Sequence, residues 1–107
     1  MRVSHKLSEF DSLSDIVSGI AEMYFLALKH VESCSEYDKG LNGFQIFVIK
    51  VNRAYYQLSD VEQEIINNDF FYEAYPNWWK KTYPKSSYYR LRKRSMKRFK
   101  EAFENEM

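Results

Sequence analysis

The chain has 107 residues, 45 % apolar and 18 % aromatic, which suits one domain with a modest core and excludes an intrinsically disordered polymer. Three Gly and two Pro are too few for the turns of a many-stranded sheet protein, and a single Cys excludes a disulfide scaffold. The formal net charge of +1 conceals a dipolar distribution: residues 76–100 hold ten of the sixteen Lys and Arg and no carboxylate, residues 1–75 carry a net −6, and the last seven residues a net −3.

These bounds predict an all-α single domain in a reducing, cytoplasmic compartment. MRVSHKLSEFDSLSD at the start has no apolar h-region, so no signal peptide is expected. No run approaches the ~18 apolar residues of a membrane span.

In chain order, residues 1–12 read as a polar, frayed end. Ser12 or Ser14 then caps a first helix, along which Ile16, Ile20, Met23, Tyr24, Ala27, Leu28 and Val31 recur at three and four. The helix is expected to end before Tyr37-Asp-Lys-Gly40, where Gly40 and Gly43 supply turn chemistry. Residues 44–51 are β-branched and aromatic and taken alone suit a strand. The stripe Phe44, Phe47, Val48, Val51, Tyr55, Leu58 outruns any strand, and predicts a helix that is apolar almost all round at its start and therefore central and buried.

Ser59-Asp-Val-Glu62 is a capping-box pattern opening a short helix to about Phe71, with Val61, Ile65 and Ile66 inward. Pro76 to Lys81 reads as a fifth, short helix, followed by a turn at Thr82-Tyr-Pro84-Lys85. Pro84 disfavours a helical Tyr83, and Ser86 is placed to cap the last helix, Ser87 to about Glu104. Tyr88, Leu91, Ser95, Phe99, Ala102 and Phe103 form its narrow apolar seam. Arg90, Lys93, Arg94 and Lys97 lie opposite, with Tyr89 and Arg92 on the shoulders. Acids return only at Glu101, Glu104 and Glu106, against the helix dipole.

Two short helices, a tight turn and a basic third helix make the plan of a helix-turn-helix, whose last helix enters the major groove of duplex DNA. About seven helical turns' worth of chain without a carboxylate is unlike an ordinary surface helix, which mixes signs for i,i+4 pairs. On this plan Arg90 and Lys93 or Arg94 reach guanine or phosphate, Ser86 and Ser87 with the amides at the helix start take a phosphate, Lys80, Lys81 and Lys85 neutralise the flanking backbone, and Lys97 belongs to the same DNA-binding face.

LSDVEQEIINNDFF followed by WWKKTYPKSSYYRLRKRSMKRF resembles the fourth region of bacterial sigma factors and the ArpU-like phage late-transcription regulators. The likeness rests on Leu58-Ser59-Asp60 with Glu62, Ile65 and Ile66, on Trp78-Trp79 as the apolar pair of the scaffold helix, and on Ser86-Ser87-Tyr88-Tyr89-Arg90 followed by Arg94-Ser95-Met96-Lys97-Arg98-Phe99. It covers about 45 residues in the C-terminal half. It implies a non-catalytic DNA-binding regulator reading through Lys85, Ser86, Ser87, Tyr89, Arg90, Lys93 and Arg94; because a monomer of this size reads only a short site, RNA polymerase or a second copy is expected as a protein partner. The chain departs from that pattern at Tyr83-Pro84, where a small residue or glycine is usual at the turn, and at Ser95, where alanine is usual. Residues 1–57 match nothing in sigma factors, and a small promoter-associated regulator fits better than a complete sigma factor.

Two other classes stay open. The basic helix could dock on RNA polymerase or another acidic protein, and Trp78, Trp79, Tyr83, Tyr88 and Tyr89 among lysines would suit stacking on single-stranded DNA or RNA. Core packing is the simpler account of the tryptophans, with Tyr89 the exposed member. Phe25 and Ile46 fall off their stripes and are expected inside; outside, they would mark a protein-binding patch. His30 and Cys34 stand i,i+4 without the further ligands a metal needs, and the carboxylates of the N-terminal part read as solvated faces. No Gly-rich phosphate loop, Ser-His-Asp set or carboxylate pair points to an enzyme, and no cofactor is expected.

Overall fold

A computed structural model describes residues 5–33, 43–72 and 74–106. Among these, four α-helices and no strand occur: α1 (His5–Ser33), α2 (Gly43–Tyr56), α3 (Asp60–Ile66) and α4 (Lys85–Asn105). A π-helical turn, Asn67–Phe71, extends α3.

The all-α expectation holds, but several boundaries move. Helix α1 starts at His5, within the end expected to be frayed, so Ser12 and Ser14 lie inside it. The expected turn at Tyr37–Gly40 and the ligand candidate Cys34 lie outside the described residues.

Helix α2 forms where a strand was the alternative, yet it is not buried all round. Val51 and Ala54 are enclosed, whereas Ile46 is 51 % exposed and Phe44 and Ile49 nearly 40 %. The cause is tertiary: α2 packs on α1 and α4, and those neighbours cover only one of its sides.

The Ser59 capping box is present in both directions. The Glu62 N–H donates to Ser59 Oγ at 3.3 Å and the Ser59 N–H donates to Glu62 Oε1 at 3.0 Å, satisfying two of the amides that a helix start leaves without partners. Gln63 Nε2 then donates to the carbonyls of Tyr55 and Leu58 at 3.3 and 3.2 Å, which closes the end of α2. Ile65 and Ile66 point inward as expected; Val61 is instead exposed, and Glu62 takes the enclosed place.

The short helix expected over Pro76–Lys81 is replaced by turns. Asn77 adopts a left-handed φ of 61°, a conformation that Asn tolerates better than most residues and that a right-handed helix cannot contain. The turns close through the Lys80 N–H on the Asn77 carbonyl and the Thr82 and Tyr83 N–H groups on the Trp79 carbonyl. The scaffold helix of the expected helix-turn-helix is therefore missing from that place, and the described residues form four α-helices where five were expected.

Two apolar clusters hold the elements. Val17 and Ile20 of α1, Val51 and Ala54 of α2, Leu58, Ile66, and Met96, Phe99 and Ala102 of α4 make the larger one. Ile65, Trp79 and Tyr88 make the smaller, with Trp78, Tyr83 and Leu91 packed around it. Helix α4 borders both, so its seam is covered along its length and its opposite side is left to solvent.

Candidate nucleic-acid interface

The geometry of α4 follows from Pro84. Its extended backbone (φ −64°, ψ 152°) ends the preceding turn, and the helix begins at the next residue. The expected cap therefore moves: Pro84 occupies the cap position without a side-chain bond, and Ser86 and Ser87 lie in the first turn. Ser95 is buried and its hydroxyl donates to the Leu91 carbonyl at 2.7 Å, so it substitutes for an alanine without leaving an unpaired group.

Ser86, Arg90, Lys93 and Lys97 recur at four, three and four, and all are exposed. They form one stripe along the solvent side of α4, continued past the helix start by Lys85 and the turn lysines Lys80 and Lys81, which are exposed as well. Ser87 is half-buried at the edge of the stripe. Tyr89 is 49 % exposed, with its ring edge-on to Trp79 at 5.9 Å. The tryptophans are packing residues: Trp79 is buried and stacked on Tyr88 at 4.2 Å, and Trp78 stands edge-on to Tyr83 and Tyr88.

The flanks of the stripe are organised by two carboxylates to which sequence reasoning gave only local roles. Glu62, fully enclosed and already the capping-box acceptor, receives Arg94 Nε at 3.3 Å and lies 3.5 Å from Arg98 Nη1. Arg94, expected to read DNA, is thus held along the helix surface toward α3. Asp69, expected only to punctuate the chain, receives Trp78 Nε1 at 2.8 Å on one oxygen, and Arg92 Nε at 3.1 Å with the Tyr88 hydroxyl on the other. A capping-box signature pointed to Glu62, but nothing local in Asn67-Asn68-Asp69 distinguishes an anchor from a loop acid. The arginines of the block thus divide. Arg92, Arg94 and Arg98 turn back onto acids of the preceding segment, and Arg90 stands among the exposed residues of the stripe.

The acid just past the end of α4 has a tertiary role too. Glu106 accepts from Gln57 Nε2 at 2.7 Å and lies 3.9 Å from Arg53, tying the helix end to α2. Within the helix, Glu104 is paired with Lys100 at 3.1 Å, one turn before it.

Burial and then the hydrogen bond to the Asp69 carboxylate push the Tyr88 hydroxyl far above the ordinary ~10 of a tyrosine; burial likewise raises Tyr24, Tyr55 and Tyr83. A raised phenol binds its proton more tightly in the folded chain than in the unfolded one. Its contribution is complete below about pH 10 and declines as pH rises beyond that toward the folded value. Urea unfolding midpoints should accordingly fall between pH 10 and 11.5, and by less in Tyr88→Phe; equal slopes in the two proteins would count against a tightly held Tyr88 proton.

Among the described residues no cluster of three or more His, Cys, Asp or Glu could hold a metal, and the His30 ring is stacked on Phe44 at 4.0 Å. No helix there is long and apolar enough to cross a membrane. No family model, curated protein or solved structure gives a significant match to the chain.

Proposed function

We propose that the chain is a non-catalytic, sequence-specific duplex DNA-binding regulator of transcription, acting in the cytoplasm through the solvent side of α4. The observation that carries this reading is the Ser86–Arg90–Lys93–Lys97 stripe, which has no carboxylate within it and lies on a helix of the diameter that a major groove admits. Two acids beside the stripe, Asp69 and Glu62, are engaged by Arg92, Arg94 and Arg98 on the flanks, which lessens their pull on the stripe's positive field. In this arrangement Arg90 and Lys93 face base edges, Ser86 and Ser87 meet a phosphate at the helix start, and Lys80, Lys81, Lys85 and Lys97 neutralise backbone charge. Tyr89 contacts sugar or a thymine methyl at the groove wall. Arg94 supports from the side, bridging to Glu62. The resemblance of residues 58–66 and 86–99 to sigma region four and ArpU-like regulators supports the same reading, without the scaffold helix whose place the turns at Trp78-Trp79 take, and suggests RNA polymerase as a protein partner.

Fluorescence-anisotropy titration with random duplex DNA, single strands and RNA at 50 and 200 mM salt tests the reading. Duplex binding that weakens steeply with salt, followed by enrichment of one site from a duplex library, is the expected result. Preference for single strands or RNA would move the function to stacking on Tyr89. No nucleic-acid binding would leave the stripe as a dock for an acidic protein.

A further inference from the structure

Helix α1 has a second apolar side. Val17, Ile20, Ala21 and Ala27 are enclosed by the fold, yet Ile16, Met23 and Leu26 on the other side are 39, 48 and 56 % exposed. Their positions are not scattered. Ile16, Gly19, Met23, Leu26 and His30 recur at three, four, three and four, the spacing of a coiled-coil seam, and Gly19, Met23 and Leu26 line a shallow groove with Glu22 and Lys29. A Cβ at Gly19 would meet nothing within the chain, so the gap there lies on the outer surface.

The charges beside the seam identify what covers it. Glu22 and Lys29 each immediately precede a seam residue and stand seven apart, so both lie on one flank, and both are exposed. The other flank is made by Ile20 and Ala27, which are buried in the chain's own core. A parallel pairing would set the charged flank of one helix against that occupied flank of the other. An antiparallel pairing sets like flank against like flank. With a two-fold axis passing beside residue 25, Glu22 then meets Lys29 of the second copy, and Lys29 meets Glu22 of the second copy. In the same register Met23 of each chain packs against Leu26 of the other. The surface is complementary to itself, as an isologous interface requires.

We infer that the chain forms a homodimer through antiparallel pairing of the outer side of α1, with Met23 and Leu26 at the centre and two symmetry-related Glu22–Lys29 pairs at the rim. Helix α2 also exposes Ile46 and Ile49, but no pair of opposite charges seven residues apart flanks them. The inference does not rest on the DNA-binding reading, since α1 and α4 use different surfaces and the association needs no nucleic acid.

Sedimentation equilibrium of the full chain without nucleic acid, over about 1 µM to 1 mM, tests it. The mass is expected to rise from one chain to two with loading, and Leu26→Lys or Met23→Lys should hold the protein at one chain across the range. Far-ultraviolet circular dichroism should be unchanged in both, because neither side chain is in the core. Glu22→Lys and Lys29→Glu should each weaken the dimer about tenfold, because each converts two attractive rim pairs into two repulsive ones. The double exchange E22K/K29E should return the dissociation constant to within about threefold of the parent. A single-chain mass at every loading overturns the proposal, as does a dimer indifferent to Leu26→Lys in a folded protein. A double exchange no better than the single ones overturns the antiparallel register.

Discussion

Asp69→Ala is expected to destabilise the protein by about 3–5 kcal/mol, the cost of removing one partner from a largely enclosed charged pair. Asp69 has 13 % side-chain exposure and accepts from Trp78 Nε1, the Tyr88 hydroxyl and Arg92 Nε, which come from the turns before α4 and from α4 itself. Truncation leaves all three donors without their acceptor, and the guanidinium without its counter-charge, in a place that water reaches poorly. A domain of this size has ~5–15 kcal/mol of stability to lose. Urea unfolding followed by tryptophan fluorescence measures the effect, since both tryptophans sit in the smaller cluster. Asp69→Asn should lie between the two proteins, because an amide keeps the shape and one acceptor but not the charge. A loss under ~1 kcal/mol in Asp69→Ala would mean that the apolar stack of Trp79 on Tyr88 orients the start of α4 without help.

For nucleic-acid affinity, the largest single change is expected at Arg90. A bidentate contact from Arg to guanine contributes about 1–3 kcal/mol of discrimination, so Arg90→Ala should weaken a selected duplex about 5- to 150-fold and relax base preference at one position. Lys97→Ala should act differently: roughly equal weakening on every duplex, and a slope of log affinity against log salt shallower by about 0.9. Both side chains are exposed, so folding should be little affected. Arg98→Ala is the control. Its guanidinium is directed at the enclosed Glu62, so stability should suffer more than binding. Anisotropy titrations beside unfolding curves separate these outcomes. Unchanged affinity in a folded Arg90→Ala protein would remove the outer side of α4 from the interface.

Those contrasts trace how far local signals reach. The capping box at Ser59 was legible because every group in it lies within four residues, and the apolar seam of α4 because helical periodicity fixes which residues share a side. Tyr88, Ser95, Phe99 and Ala102 are buried as that periodicity demands. Exposure of Arg90, Lys93 and Lys97 followed from the same wheel. Phe25 and Ile46 escaped it. Phe25 is half-buried against Tyr24, Phe71 and Tyr72, and Ile46 is open to solvent. The difference depends on whether a third element happens to lie over each position, and periodicity carries no information about that.

By itself the sequence determined the helical class, the separation of acidic and basic segments, the α3 cap and the two sides of α4, all consequences of interactions within a few turns of chain. Only the tertiary structure decided that Pro76–Lys81 curls into turns instead of a helix, that α2 lies at an edge, and that Glu62 and Asp69 each gather the cations or donors of a distant segment. An ion pair such as Arg94 with Glu62 joins residues far apart in the chain, and its existence depends on how the apolar clusters bring α3 and α4 together. The division of one cationic block into structural arginines and an outward stripe is therefore a property of packing.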